Sequence, residues 1–180
     1  MKRLTLLRHA KSDWDDPVAR DFDRPLNQRG EKAARLIGQF ARARQMHFDL
    51  AIASPAVRVV ETLNHFYAGY GTILQPRWDR RIYLASVATL MDILRDLPDS
   101  ADTIFVAGHN PGLEELVLDL VPDDGASQLR EDVEVKFPTA SLAVLDLTID
   151  RWSDVAENSA TLVGFTRPRD LDPALGPETR

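Results

Sequence analysis

Residues 3–14 read RLTLLRHAKSDW. The apolar run in the first half is nearly continuous, as expected of a short strand covered on both faces in a parallel sheet. It stops at Arg8-His9, a guanidinium and an imidazole where a buried strand ends. An isolated pair of this kind is ordinary solvated chain. Its meaning depends on what the rest of the sequence delivers to the same place.

Two further strands end in a comparable way. FDLAIAS (48–54) is a short apolar run that ends in Ser54-Pro55 and leads into a helix carrying Arg58. TIFVAG (103–108) is the clearest buried strand, and it runs through Gly108-His109-Asn110-Pro111 into another helix. In open α/β sheets ligands bind beyond the carboxyl ends of the strands, so parallel strands would bring all three endings to one edge. Ser54 and Asn110 are good N-caps, with Pro55 and Pro111 at the first helical position. Helix N-termini arranged in this way suit an anion. Arg58 lies one turn in, close enough to reach back, and Gly108 permits close backbone approach beside His109.

Between these landmarks the pattern alternates strand and helix. Residues 10–26 read as a long polar loop containing Pro17 and Pro25. Asn27 caps a helix to about Arg44, with Ala33, Leu36, Ile37, Phe40 and Ala41 at helical spacing. Helices are expected from Pro55 to about Tyr67, Ser86 to Leu97 and Asn110 to Leu120. Residues 72–78 are a weak strand candidate and 121–136 a polar surface excursion. SLAVLDLTI (141–149) and SATLVGF (159–165) read as strands of a hairpin. From Thr166 a tail with Pro168, Pro173 and Pro177 runs over the surface or into solvent. The alternation predicts an α/β layered domain with a mainly parallel sheet. One domain spans 1–166, followed by a Pro-containing tail, 167–180.

The 180 residues carry a formal charge of −6, and 44% are hydrophobic, a balance typical of a globular chain. The negative balance argues against nucleic acid or an anionic membrane as partner. There is no cysteine, which excludes disulfides, thiolate metal sites and a cysteine nucleophile. The apolar stretch Leu4 to Leu7 is too short for a signal-peptide core, and no run approaches membrane-spanning length. A cytoplasmic protein is expected. The histidines (9, 47, 65, 109) show no metal-binding spacing, so no metal and no cofactor is expected. His47 in a pre-strand turn and His65 late in a helix have ordinary structural roles.

Each strand ending has a bland reading on its own. Ser-Pro and Asn-Pro open many helices, and Arg58 could pair with Glu61 or Glu114. Together they supply two histidines and two arginines to one edge. Guanidinium forks match phosphate oxygens, and an imidazole can carry a transferred phosphoryl group covalently.

The segments LLRHAKSDW (6–14), RPLNQRG (24–30), ASPAVRVVET (53–62) and AGHNPG (107–112), in this order, resemble the histidine phosphatase superfamily, the phosphoglycerate-mutase-like proteins. The Arg-His-Ala-Lys-Ser form, Asp-Arg-Pro-Leu-Asn at 23–27, KFPTASLAVLDL (136–147) and FTRPRDL (165–171) are most similar to the SixA-type phosphohistidine phosphatases. The resemblance implies a three-layer α/β/α sandwich with a mainly parallel central sheet. It also implies His9 as nucleophile, with Arg8, Arg58 and His109 holding the phosphoryl group.

Three departures bear on substrate. Ala10 replaces a glycine common in the family. Asp15 stands where a phosphate-contacting asparagine is often found. The region that carries a glutamate acid in mutase-like members, here RWDRRIYLASVATL (77–90), has none. Cleaving an ester releases an alkoxide that needs a proton, whereas a phosphohistidine has a better leaving group. The loop carboxylates Asp13, Asp15, Asp21 and Asp23 are the remaining candidate acids. The reading is therefore a metal-independent phosphatase acting on a phosphohistidine-bearing protein. The alternatives are a small-molecule phosphomonoesterase of the same superfamily or a non-catalytic phosphate-binding docking module. Without an evident cap insertion, the site is expected to be open.

Overall fold

The computed structural model describes residues 1–15 and 20–177. Pro17 of the expected loop and the last three residues of the expected tail lie outside them. The strands are β1 (Lys2–Arg8), β2 (Leu50–Ala53), β3 (Arg77–Trp78), β4 (Thr103–Gly108), β5 (Leu142–Leu147) and β6 (Ala160–Thr166). The helices are α1 (Gln28–Ala43), α2 (Val57–Tyr70), α3 (Val87–Arg95), α4 (Gly112–Leu120), α5 (Gln128–Val135) and a single turn, α6 (Pro168–Leu171).

The six strands form one sheet in the order β3-β2-β4-β1-β5-β6. The first four run parallel, and β5 and β6 add an antiparallel edge. Side-chain alternation divides the core in two. Leu4 and Leu6 of β1, Ile104 and Val106 of β4, and Leu145 and Leu147 of β5 face α3, α4 and α5. Leu7, Phe105 and Ala107 face α1 and α2. Both faces are covered, so the central strands are largely apolar, as the sequence shows. The result is the expected α/β/α sandwich with a mainly parallel sheet.

Several boundaries differ from expectation for identifiable reasons. Asn27 caps α1 as expected, its Oδ1 accepting from Gly30 N at 2.8 Å. The expected strand at 72–78 shrinks to two residues. The polar stretch 121–136 is not a mere surface excursion. Residues Gln128–Val135 form α5, capped by Ser127 and pinned by Val133, which is fully buried. Arg130 donates to the Val121 and Leu118 carbonyls and so covers the free end of α4. One buried valine among charges is too weak a periodic signal to reveal this helix. The segment after β6 packs back onto α1, Arg29 donating to the Gly176 carbonyl and Lys32 pairing with Asp172 at 3.3 Å.

α1 and α2 cross at glycines. A Cβ on Gly38 would lie 2.1 Å from the Phe66 carbonyl oxygen, and one on Gly69 would lie 2.1 Å from that of Arg35. Backbone cannot yield as a side-chain tip does, so Gly38→Ala should separate the helices at a cost of about 2–3 kcal/mol. Gly164→Ala places its methyl 3.7 Å from Val144 and should cost less than about 1 kcal/mol. Urea denaturation midpoints of the two variants check this difference.

Candidate active site

Strand register assembles the site. β1 and β4 pair in parallel with Arg8 opposite Gly108, so the next residue of each chain leaves the sheet beside the other. His9 N donates to the Gly108 carbonyl at 3.0 Å, and the His9 and His109 rings lie 5.4 Å apart. β2 pairs Ala53 with Ala107 on the other side of β4. This brings Ser54 to His109, whose Nε2 lies 2.8 Å from the Ser54 hydroxyl.

The helices after these strands begin later than expected. Ser54 is not the N-cap of α2, and Pro55 and Pro111 are not first helical residues. α2 starts at Val57 and α4 at Gly112, with Ala56 and Pro111 at the cap positions. The two capping side chains have partners across the sheet edge. The Ser54 hydroxyl meets His109 and accepts from Ala56 N, while Asn110 Nδ2 donates to the Phe137 carbonyl at 3.0 Å and its Oδ1 still accepts from Glu114 N in the first turn of α4. A link between Ala10 and α2 positions Arg58 instead. Ala10 N donates to Thr62 Oγ1 at 2.9 Å, and that hydroxyl donates to the Arg58 carbonyl at 2.6 Å.

Arg8, His9, Arg58 and His109 border one cleft of about 630 Å³. The structure therefore brings together all four residues singled out in the sequence. His47 and His65 are not on this cleft: His47 pairs with Asp49 at 2.9 Å, and His65 lies 4.0 Å from Glu31. His9, Arg58 and His109 are only 8%, 3% and 4% exposed, which places them at the cleft floor. Arg8 Nη1 donates to the Phe137 carbonyl at 2.9 Å. Arg58 Nη1 and Nη2 donate to the backbone oxygen and Oδ2 of Asp21 at 2.7 and 3.1 Å. The partner of Arg58 is thus neither Glu61 nor Glu114. Glu61 accepts from Leu26 N instead.

Asp21, one of the four loop carboxylates left as candidate acids, and Arg24, which the sequence did not single out, both line the cleft. Asp21 lies in a 3-10 turn, Asp21–Asp23, folded over the cleft. Its carboxylate accepts from Tyr83 Oη at 2.5 Å, Arg24 Nη2 at 2.9 Å and Arg58 Nη2. The tyrosine bond, with the two arginines, holds the Asp21 carboxyl far below the usual carboxylate range. That excludes Asp21 from the role of a proton donor near neutral pH. Arg24 also donates to Ser12 and stacks on Trp14, its guanidinium carbon 3.6 Å from the ring centroid. The Asp-Arg-Pro-Leu-Asn segment (23–27) was the available signal for Arg24; Asp21 lies two residues before it.

The electrostatics follow from burial among cations. Desolvation pushes the His9 imidazole down to about 3, assisted by His109, Arg8 and Arg58. Desolvation, then Arg58, pushes His109 down to about 3 as well. Both rings are neutral near pH 7. His9 Nδ1 lies 2.7 Å from the Ala10 carbonyl, which can only accept. Nδ1 therefore carries the proton, and Nε2 keeps the free electron pair. Six buried polar side-chain atoms lack a partner among the described residues, and four belong to this cleft: Arg8 Nε, Arg24 Nε, Arg58 Nε and His109 Nδ1. Unspent hydrogen-bonding capacity gathered at a cationic floor fits an anion with several oxygens. The described residues contain no cluster of three or more His, Cys, Asp or Glu that could hold a metal ion. The positive charge at the floor comes from guanidinium groups.

Such a floor, with a neutral imidazole among arginines at the carboxyl edge of a parallel sheet, defines a phosphoryl-handling enzyme. The sequence model of the histidine phosphatase superfamily (branch 1) matches residues 4–82. A Mycobacterium tuberculosis protein without an assigned function is 36% identical over 164 residues, covering 91% of this chain and all of its own. A structure from Agrobacterium tumefaciens, provisionally assigned as the phosphohistidine phosphatase SixA, is 29% identical. It superposes with a TM-score of 0.78, covering 93% of this chain and 98% of that one. A structure from Nakamurella multipartitia with the same provisional assignment is also 29% identical, with a TM-score of 0.81 and coverage of 93% and 96%. The chain belongs to the histidine phosphatase superfamily, and it is a phosphatase.

Two predictions follow from the charges. His9 and His109 titrate in the fold well below the unfolded value of about 6.5, so the unfolded chain binds more protons between that pH and about 3. Their penalty is absent above about pH 6.5 and grows as pH falls, on the order of 1.4 kcal/mol per unit for each fully buried histidine. Stability measured from pH 7 to 4.5 should fall less steeply in His109→Asn than in the parent. For Asp21→Ala, removal of the carboxylate leaves Arg58 and Arg24 without their counter-ion. The variant should melt lower than the parent, and added inorganic phosphate should raise its Tm more than it raises that of the parent.

Proposed function

We propose that the enzyme hydrolyses phosphohistidine carried on a protein, through a phosphorylated His9. His9 Nε2 attacks phosphorus, and the P–N bond to the substrate imidazole breaks with its electron pair going to that nitrogen. The substrate ring leaves neutral because its other nitrogen bears a proton. Arg8, Arg58 and His109 donate to the phosphoryl oxygens and neutralise charge as it redistributes. Water then attacks phospho-His9, releasing inorganic phosphate and restoring the neutral ring. The Ala10 carbonyl supports both steps by holding Nδ1–H, so that Nε2 remains the nucleophile and then the leaving atom.

The observation that carries the P–N preference is the nature of the one carboxylate on the cleft wall. Among the described residues lining the cleft, only Asp21 is acidic, and its three donors keep it ionised. Glu114, which burial holds above its ordinary value, does not line the cleft and acts on Arg8 only through charge. An alkoxide leaving an ester would find no carboxylic acid proton among the described residues lining the cleft, whereas a departing protonated imidazole needs none. The two relatives provisionally assigned as SixA are consistent with this preference.

Isotope-labelled phosphohistidine protein should leave an acid-labile, base-stable label on His9 under turnover conditions. His9→Ala should lose at least about 1,000-fold in kcat/KM. A panel of phosphate monoesters should be cleaved more slowly than phosphohistidine. Faster cleavage of an ester would give the small-molecule phosphomonoesterase reading. Phosphate binding without any label would leave a docking module.

A further inference from the structure

The cleft extends well beyond the phosphoryl floor, and its outer walls are cationic in a chain whose formal charge is −6. Arg29 of α1, Lys136 after α5, and Arg167 and Arg169 at α6 all border it. Arg167 is paired with Asp170 at 2.9 Å. Arg29 donates to the neutral Gly176 carbonyl and meets Asp172 only through longer-range charge. No carboxylate pairs with Arg29, Lys136 or Arg169 among the described residues. These cations come from three separate parts of the chain, α1, the segment after α5, and α6. They line a path. Trp14 and Leu84, both well exposed, stand on the same rim.

We propose that this outer cleft is a docking track for an acidic polypeptide segment flanking the phosphorylated residue. The proposal rests on the reading of the substrate as a phosphoprotein. Cations distributed along a groove suit carboxylates spaced along a chain. An exposed indole and leucine on the same cleft suit apolar side chains of the same segment, which an inorganic polyanion does not have. The depth of the floor gives the track its purpose. With His9 and Arg58 almost wholly buried, the phosphorylated side chain must reach down between the walls. Charge on the outer path then orients the segment before the phosphoryl group arrives. A substrate lacking flanking acids would reach the same floor, but less often in the productive orientation.

Free phosphohistidine, which reaches the floor but spans no outer wall, separates the two readings. If the enzyme does not turn it over, the P–N reading fails. Binding of an unphosphorylated acidic peptide, followed by fluorescence anisotropy, still tests the track in that case. With phosphohistidine peptides, acidic flanks should give a kcat/KM about tenfold above neutral flanks, mostly through KM. Raising ionic strength from about 0.05 to 0.3 M should erase most of that gain. The double variant K136E/R169E should lose it as well, while cleaving free phosphohistidine as the parent does. Equal rates for acidic and neutral flanks would overturn the proposal. So would equal loss on peptide and free phosphohistidine in the double variant. Inhibition by inorganic polyphosphate far stronger than by the acidic peptide would assign the track to another polyanion and also overturn it.

Discussion

The parallel pairing of β1 with β4 is the constraint on which the site depends. One backbone hydrogen bond, from His9 N to the Gly108 carbonyl, continues the ladder one residue past the strand end. It fixes the two histidines as neighbours without any bond between their side chains. A slip of one residue would turn His9 to the opposite face of the sheet. The apolar alternation of β1 and β4, split between two helical layers, makes that slip costly. Packing far from the cleft thereby sets the chemistry at its floor.

The site is also held under electrostatic tension. Three arginines and two histidines share a small volume, and burial raises the cost of every charge in it. The histidines meet this by staying neutral, and Arg58 and Arg24 by sharing the Asp21 carboxylate. Asp21 therefore stands in for the anion that the floor is built to receive, and its tie to Tyr83 keeps it charged. A phosphoryl group arriving at Arg58 competes with a carboxylate already in place, which tempers affinity for free phosphate, the product.

Much of this was legible in the sequence. Apolar runs bounded by Gly, Pro and Asn marked the long strands and helices, and the three strand endings led directly to Arg8, His9, Arg58 and His109. What escaped was set by tertiary contact. α5 depends on one buried valine and on Arg130 reaching the carbonyls of another helix. The helix starts moved one or two residues on, and Ser54 and Asn110 each combine a local backbone contact with a partner across the sheet edge, which local spacing cannot show. How Asp21 and Arg24 meet the site was hidden in a polar loop whose course depends on Tyr83 and Arg58. The open site expected without a cap insertion is instead a walled cleft, because the 3-10 turn and the segment after β6 both fold toward it.

The turn before β5 receives threads from several directions. Ala140 N donates to the carbonyls of Arg8 and His9, and the Phe137 carbonyl accepts from both Arg8 and Asn110. β1 itself lies between β4 and β5, so its edges are satisfied only by segments from the second half of the chain. During synthesis, an N-terminal portion emerging alone would expose β1 with both edges bare and its nucleophile unsupported. Activity must therefore await nearly the whole chain: a truncated product ending before β5 is an unfinished sheet as well as an incomplete enzyme.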